Sequence, residues 1–289
     1  MMTEMRRCLL LLIGIASWPQ FPDPAPFFPW DTQAPGQAGG AALLEAVCPG
    51  AVTAGSEIGC RTGCPDYTAF GNPKQTGMAW TLAGVTRGHF LAPASEDAAL
   101  SMKGCEPHTE NFGGTVLLTR RSGKWSMVWY KAGVETSTCH KTPLPDRRQI
   151  LVCIALVGGQ GIESAELYTE DLLHPADDAN AAPEERFFET YDNTGTCGRN
   201  FEDDRKPQPL IRSQIVRVDF SAASGKPALT VIAIHGKRSM TPREVQACEL
   251  APESVLPSTR TYRIRFRFDG RHYQLAPASA AAARLFEWP

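Results

Sequence analysis

The chain has 289 residues, and its 29 lysines and arginines nearly balance its 31 aspartates and glutamates, so the formal net charge is −2. A chain with so little net charge has no overall positive charge that would attract nucleic acid or an anionic membrane, so neither is predicted as the partner. The hydrophobic content of 43% is enough for a packed core, while the 25 glycines and 23 prolines predict short elements joined by many turns.

The first 16 residues have the pattern of a cleavable export signal. Arg6 and Arg7 precede an apolar run from Cys8 to Ala16, and a buried N-terminal helix is the alternative. The run is shorter than the about 20 apolar residues that a membrane-spanning helix needs, and no later segment qualifies, so we expect no membrane span. The other eight of the nine cysteines follow this segment. That even number predicts disulfides in a soluble periplasmic or secreted protein.

Residues 17–40 are rich in proline, glycine and glutamine, a composition that does not sustain helix or strand hydrogen bonds. We predict an extended linker here, with docking of its aromatic side chains on the domain or on a partner as the alternative. These side chains are Phe21, Phe27, Phe28 and Trp30. Residues 41–289 are expected to form a single disulfide-stapled β domain. Short helices are predicted at 41–47 and at the alanine-rich segment 278–286.

Four segments have the alternating pattern and central turn of β-hairpins. Two of them are 114–130, with a turn at 121–123, and 215–234. The polar stretch 177–209 is instead predicted to be a long surface loop held by Cys197. The expected fold class is therefore all-β, built mainly from antiparallel hairpins with one or two short helices, and arranged as a propeller-like assembly or an irregular β-sandwich.

The third hairpin, 138–156, predicts a specific disulfide. Cys139 and Cys153 are equidistant from Asp146, which lies in the expected turn. A hairpin centred there places the two cysteines directly opposite each other, where Cα atoms of an antiparallel pair are about 4.5 to 5.5 Å apart and within disulfide range. We therefore predict a Cys139–Cys153 bridge. The pairing of the remaining cysteines does not follow from the sequence.

The fourth hairpin, 261–274, has the sharpest alternation in the chain. Aromatic and aliphatic side chains alternate with three arginines, and Asp269-Gly270 predicts a two-residue turn. That turn would place Phe268 opposite Arg271, Arg267 opposite His272 and Phe266 opposite Tyr273. One face of the hairpin is then apolar and belongs to the core, and the other face is basic.

The basic face of this hairpin is the first candidate binding site. Its side chains are Arg263, Arg265, Arg267 and His272. Guanidinium groups bind carboxylates and sulfates through paired hydrogen bonds, so the ladder suits a sulfated or carboxylated polymer. The alternatives are a solvated sheet face and ion pairs with carboxylates on the next strand.

A looser pattern, in which a polar turn introduces a short apolar strand, recurs at 88–100, 143–152 and 218–231. These segments resemble degenerate FG-GAP-type repeats of integrin-like β-propellers. The resemblance implies blades arranged around an axis and a role in binding. The Asp-x-Asp-x-Asp-Gly calcium loop typical of that family is missing from all three segments, so calcium is not implied.

Signals for metal binding and catalysis are sparse. Cys60 and Cys64 have a spacing compatible with zinc, but export favours disulfides, so no metal and no cofactor are predicted. There is no Gly-x-Ser-x-Gly motif, and the segments 158–161 and 192–196 are interpreted as turns. Carboxylates that could share a hydrolytic cleft occur at Glu106 and Glu110, and at Glu163, Glu166 and Glu170.

The segment 104–114 has the densest set of reactive side chains and is the second candidate site. It contains Glu106, His108 and Glu110 next to Cys105, and a loop tethered by a disulfide is the alternative.

The expected function is an exported β-rich binding or interaction module without a catalytic motif, whose partner is an anionic polymer or another extracytoplasmic protein. The competing hypotheses are a secreted hydrolase that uses the carboxylates and histidine near 104–114, and a structural scaffold. A deep cleft with two converging carboxylates would favour the hydrolase, and a flat surface of arginines and aromatic rings would favour binding.

Overall fold

The computed structural model describes residues 26–62, 78–104, 112–132, 134–173, 185–199, 206–223, 226–248 and 251–287. The predicted export signal, Cys64, Cys105 and the candidate residues Glu106, His108 and Glu110 lie outside these ranges. Within them the chain forms three antiparallel sheets, and in each sheet the strands follow one another in chain order. The predicted all-β class is confirmed.

The first sheet has the order β1 to β6, formed by Val52–Ala54, Glu57–Cys60, Trp80–Gly88, Asp97–Gly104, Phe112–Arg121 and Lys124–Lys131. The middle sheet has the order β10-β9-β8-β7, in which β7 to β10 are Cys139–Pro143, Gln149–Gly159, Ile162–Glu170 and Glu185–Asp192. The third sheet has the order β11 to β14, formed by Leu210–Ala223, Lys226–Arg238, Arg260–Phe268 and Tyr273–Leu275.

Three short α-helices accompany the sheets in the described ranges, namely α1 (Gly40–Leu44), α2 (Pro242–Cys248) and α3 (Ala280–Ala283). The first overlaps the predicted segment 41–47, and the third lies within the predicted segment 278–286. The second was not predicted, although Thr241-Pro-Arg-Glu244 is a capping-box sequence with proline at the first helical position. Thr241 N–H donates to the Glu244 carboxylate at 2.9 Å, and Glu244 N–H donates to the Thr241 hydroxyl at 3.3 Å.

The sheets stack in three layers, and the middle sheet is buried on both faces. One face packs on the third sheet through a core that includes Val152, Leu167, Val231 and Ile264. The opposite face packs on the first sheet through a core that includes Phe90, Leu117, Leu151 and Tyr168. The outer face of the first sheet is covered by α1 through Leu43, Leu44, Leu82 and Val116. The described residues form no closed barrel or propeller, so the irregular sandwich is the arrangement that the structure shows.

Residues 26–33, which we call the strap, connect all three sheets. Phe27 exchanges two backbone hydrogen bonds of 2.9 Å with β11, Asp31 N–H donates to β7 at 2.8 Å, and Gln33 exchanges two bonds of 2.8 and 3.0 Å with β3. Phe28 is 5% exposed and packs edge-to-face on Phe220, with ring centroids 5.5 Å apart. For this part of the predicted linker, the docked alternative is therefore the one observed. Residues 17–25 lie outside the described ranges.

Cys139 and Cys153 are register partners on β7 and β8 and form a disulfide, with Cα atoms 4.1 Å apart. Their placement follows from the turn around Asp146, as the symmetric spacing predicts. Both side chains are fully buried between the middle and first sheets. Two further disulfides join described cysteines, Cys48 with Cys60 and Cys197 with Cys248.

The prediction of a surface loop over 177–209 is wrong for its central part, because residues 185–192 form β10 and pair with β9. Phe188 is buried in the core between the middle and third sheets. The 3-10 helix Thr194–Thr196 follows, and Cys197 holds this end through its disulfide, as expected. The strand residues Phe187 to Tyr191 are aromatic or β-branched in four of five positions, which favours a strand. The acidic and proline-rich residues on either side of them favour a loop, and they led to the wrong prediction.

The last hairpin has a longer turn than Asp269-Gly270 predicts. Phe268 pairs with Tyr273 and Arg267 with Gln274, so residues 269–272 form the turn. The Asp269 carboxylate accepts hydrogen bonds of 2.8 Å from the backbone N–H groups of Arg271 and His272. The predicted register is therefore wrong by two residues. A shift of two keeps each strand residue on its predicted face.

Candidate functional site

The outer face of the third sheet carries the predicted arginine ladder. On β13, Ile264 and Phe266 are buried in the core, whereas Arg263, Arg265 and Arg267 are exposed on the opposite face. Alternate residues of a strand are about 7 Å apart, so the three guanidinium stems form an evenly spaced row. We call this row, with its neighbours on β11 and β12, the arginine face.

The neighbours of the row on β12 carry no acidic groups. The register partners of the three arginines are Ile232, Thr230 and Ala228. Among the described residues, no carboxylate lies within ion-pairing distance of Arg263, Arg265 or Arg267. The alternative that these arginines pair with carboxylates on the next strand is therefore not observed. The row presents positive charge to the solvent in a chain whose net charge is negative.

A fourth arginine and an aromatic ring extend the arginine face toward β11. Arg217 lies in the same cross-strand row as Ile232 and Arg263, and it forms an ion pair with Asp219. The ring of Phe27, from the strap, is 61% exposed, and its centroid lies 5.2 Å from the Arg217 guanidinium. This is the geometry of a cation–π contact. The face is thus basic and flanked by an exposed aromatic ring.

His272 does not join the ladder as a strand residue. The structure places it in the four-residue turn, and Gln274 takes its predicted position opposite Arg267. Its backbone is fixed by the Asp269 carboxylate. The strand part of the predicted site is therefore brought together as expected, whereas His272 sits at the end of the hairpin.

The predicted carboxylates of β9 do not converge. Glu163 is on the face toward the third sheet, whereas Glu166 and Glu170 are on the opposite face, because neighbouring strand residues alternate in direction. Arg186 forms an ion pair of 2.9 Å with Glu166 and one of 3.1 Å with Glu189. Glu170, the last residue of the strand, is 1% exposed.

A cavity of about 290 Å³ opens between the middle and third sheets, where their shared apolar core ends. Its wall is formed by β8, β9 and β10 on one side and by β11 on the other, with Pro26 of the strap at the edge. The lining residues are Pro26, Leu156, Val157, Gly158, Glu163, Ser164, Ala165, Thr190, Asp192, Ser213, Gln214 and Ile215. No sequence pattern marks this site, because its lining comes from four strands and the strap.

Two carboxylates meet at this cavity. Asp192 on β10 and Glu163 on β9 are direct register partners, so their side chains leave the sheet on the same face, from Cα atoms about 4.5 to 5.5 Å apart. Asp192 is 5% exposed, and its oxygens accept hydrogen bonds from Thr194 N–H at 2.9 Å and from the Gln214 amide at 3.3 Å. Glu163 is exposed. The two residues are 29 positions apart in sequence, and only the register of β9 with β10 joins them.

The rim of the cavity is held in place by a backbone contact between two glycines. A two-residue turn, Gln160-Gly161, connects β8 and β9 directly. Both residues have positive φ angles, 54° and 81°, as a tight hairpin turn requires. A Cβ on Gly161 would lie 2.5 Å from the carbonyl carbon of Gly195, and one on Gly195 would lie 2.7 Å from the Gly161 Cα. The segments 158–161 and 192–196, which the sequence indicates are turns, therefore pack on each other beside Asp192.

On the β11 wall, Ser213 faces His235 of β12. The Ser213 hydroxyl oxygen lies 2.6 Å from Nδ1 of His235, and the two residues are register partners. Burial lowers the pKa of His235, and the nearby positive charge of Lys237 lowers it further. The imidazole is therefore favoured in its neutral form, in which Nδ1 either accepts a hydrogen bond from the Ser213 hydroxyl or donates one to it, depending on the tautomer.

Comparison with protein-family models, with curated proteins and with solved structures found no match to this chain. Within the described ranges, no helix is long and apolar enough to cross a bilayer. The same ranges contain no cluster of three or more histidine, cysteine, aspartate or glutamate side chains arranged to hold a metal ion. The assignment of function therefore depends on the two surfaces described above.

Proposed function

We propose that the protein is a binding module and that the arginine face binds a sulfated or carboxylated polymer. The observation that carries this proposal is the exposed row of Arg263, Arg265 and Arg267, which has no carboxylate partner among the described residues. A guanidinium group offers a planar set of N–H donors that matches a carboxylate or sulfate in a bidentate way. An extended anion with regularly spaced groups contacts several of them at once.

The shape of the face supports a polymer over a compact anion. The row runs along one strand, and alternate side chains about 7 Å apart cannot all reach one small ion. The neighbouring side chains Thr230 and Ile232 are half-buried and leave the guanidinium groups as the most prominent features. Phe27 lies at the β11 side, where a ring suits the apolar face of a sugar.

The experiment compares binding of the full chain to dextran sulfate and to uncharged dextran, measured by calorimetry at several salt concentrations. We expect binding to dextran sulfate only, with an affinity that falls steeply as salt rises, because screening weakens contacts between exposed charges. The triple variant R263Q/R265Q/R267Q should lose most of this binding. Equal binding of both dextrans would contradict the proposal.

A charge-matched control separates the row from general basicity. The variant R121Q/K124Q/R243Q removes three exposed positive charges elsewhere on the molecule and should bind dextran sulfate nearly as well as the wild type. If both triple variants lose binding equally, the interaction depends on net charge and not on the arginine face.

We also propose that the protein acts outside the cytoplasm, as a periplasmic or secreted protein. The three disulfides support this proposal, because such bonds persist in oxidising compartments. Non-reducing peptide mapping of the protein isolated from its natural location tests it. Free thiols at Cys139 and Cys153 would contradict it. The hydrolase hypothesis concerns the segment 104–114, whose reactive side chains, within residues 105–111, lie outside the described residues, and it stays a hypothesis.

A further inference from the structure

The outer face of the third sheet has two different sides. On β13 the outward row is wholly basic from Arg263 to Arg267. On β12 the register partners of these arginines are uncharged, and on β11 the same cross-strand rows contain Arg217, Asp219 and Ser221. Neighbouring strands are about 4.8 Å apart, so the β11 row lies about 10 Å from the basic row, across β12. A ligand that covers the face meets three guanidinium groups on one side and a mixed row on the other.

An aromatic ring dominates the β11 side. The Arg217 guanidinium forms an ion pair with Asp219 and lies 5.2 Å from the centroid of the Phe27 ring. Phe27 pairs in parallel with Arg217, so its side chain leaves the strap on the outer face. Phe27 is 61% exposed, whereas the next residue, Phe28, is buried in the core. The ring is therefore a surface feature that the core does not use.

The strap holds this ring in a fixed place. Phe27 N–H donates to Val216, and the Phe27 carbonyl accepts from Val218 N–H, both at 2.9 Å. Phe28 anchors the same segment through its edge-to-face contact with Phe220. A ring whose backbone is already ordered loses little conformational entropy when a ligand contacts it. The strap thus adds a positioned apolar surface to a face that is otherwise basic.

This combination favours a sugar polymer among the polyanions. A pyranose ring has an apolar face of C–H groups, which packs on the negatively polarised face of an aromatic ring. A polyphosphate or an acidic aliphatic polymer has no such face, so Phe27 would add nothing to its binding. Nucleic acid bases also stack on aromatic rings. The net charge of −2 and the three disulfides, which are typical of an oxidising compartment, do not favour nucleic acid.

We propose that the polymer bound by the arginine face is an acidic polysaccharide and that Phe27 binds one of its sugar rings. This inference rests on the proposed function of the arginine face. The acidic groups lie along Arg263, Arg265 and Arg267, which span about 14 Å of the strand. At the Arg263 end, the row that contains Ile232 and Arg217 leads across the sheet to Phe27.

The test compares two sulfated polymers by calorimetry, dextran sulfate, which has sugar rings, and polyvinyl sulfate, which has none. Phe27→Ala should weaken binding of dextran sulfate about threefold to tenfold and leave polyvinyl sulfate unchanged. Phe27→Trp keeps a ring and should retain dextran sulfate binding. Trp30→Ala is the matched control and should change neither affinity. Trp30 is an exposed aromatic residue of the same strap, 56% exposed, but it lies next to Asp31, where the strap bonds to β7.

The variant R263Q/R265Q/R267Q separates this inference from the proposed function, because it should weaken binding of both polymers. If it does so while Phe27→Ala weakens neither, the arginine face binds polyanions and the sugar assignment is overturned. Equal losses for both polymers in Phe27→Ala would also overturn it, because the ring would then act through the fold or the arginines. If the wild type binds neither polymer, the proposed function and this inference both fail.

Two further ligands complete the test. Oligothymidylate should bind more weakly than dextran sulfate, and tighter binding that is lost in Phe27→Ala would assign the face to nucleic acid instead. Glucose 6-sulfate covers only part of the path from Arg267 to Phe27, so it should bind at least about a hundredfold more weakly than dextran sulfate. Equal affinity for this single sugar would overturn the extended placement.

Discussion

The middle sheet and the third sheet are both four-stranded antiparallel meanders, yet their exposure to solvent differs completely. In β8 of the middle sheet, residues 150–154 are all buried, because each face of the sheet packs on another sheet. In β13 of the third sheet, buried and exposed residues alternate strictly from Arg263 to Phe268. The buried side chains of the middle sheet thus contribute mainly to stability. The exposed side chains on the outer face of the third sheet are charged, and folding does not depend on them.

The largest expected effect of this difference is at Leu151, which is 0% exposed between the middle and first sheets. Leu151→Ala should lower the free energy of unfolding by about 2 to 5 kcal/mol, because it removes a buried side chain and leaves a cavity. Leu156→Ala, on the same strand but 60% exposed, should cost less than about 1 kcal/mol. Urea denaturation of both variants measures the contrast. Similar losses would show that the two ends of β8 are not differently buried.

The Cys139–Cys153 bridge should have the next largest effect. Its ends are 14 residues apart, and closing a loop of this length in the unfolded chain is worth about 3 kcal/mol. The double variant C139A/C153A should lose about this amount in urea denaturation. The Cys48–Cys60 bridge, with a separation of 12, has nearly the same loop entropy. Loss of the Cys139–Cys153 pair should still cost more than loss of that bridge, because both of its cysteines are fully buried.

Acid should destabilise the protein through two histidines, one in the middle sheet and one in the third sheet. The pKa of His140 on β7 is lowered by burial, which outweighs the attraction of Asp31, 3.1 Å away, and burial also lowers the pKa of His235 on β12. In the unfolded chain both titrate near about pH 6.5. The folded protein favours the neutral form of both histidines. The stability that this form contributes is therefore complete above that pH, and it is lost as the pH falls toward the lower pKa values of the folded protein. The urea midpoint should fall over this window, and less so in H140Q/H235Q.

The smallest expected effect is on the arginine face. The variant R263Q/R265Q/R267Q should change the free energy of unfolding by no more than about 0.5 kcal/mol per site, since the replaced groups are exposed and unpaired with described carboxylates. Loss of dextran sulfate binding at nearly unchanged stability would separate function from folding on this face. A large loss of stability would instead make the ladder structural.

The parts of the fold that the sequence predicted are those with local signals. The hairpins 114–130 and 215–234, the opposed Cys139 and Cys153, and the two faces of β13 follow from alternation and turn residues within one segment. The order in which the sheets are layered does not follow from any such local signal. A run such as residues 150–154 indicates a strand buried on both sides, but nothing local states which sheets cover it.

The sites show the same limit. The arginine row was predictable because its residues alternate on one strand, whereas Glu163 and Asp192 are brought together by the pairing of two strands, one of which was interpreted as a loop. The turn at 269–272 was missed because the Asp269 side chain, rather than the turn residues alone, closes it. Thr241 to Glu244 carry a local signal for α2, because they form a capping box with proline at the first helical position.

The strap has a consequence for the order in which the chain acquires its structure. Residues near the start, Phe27 and Phe28, complete their contacts only with Val216, Val218 and Phe220, so almost 200 residues separate the partners. Until synthesis reaches β11, Phe28 has no ring to pack on, and the strap cannot yet tie the third sheet to the other two. Final closure of the molecule is therefore a late event that requires nearly the whole polypeptide, and contacts of such long range slow folding.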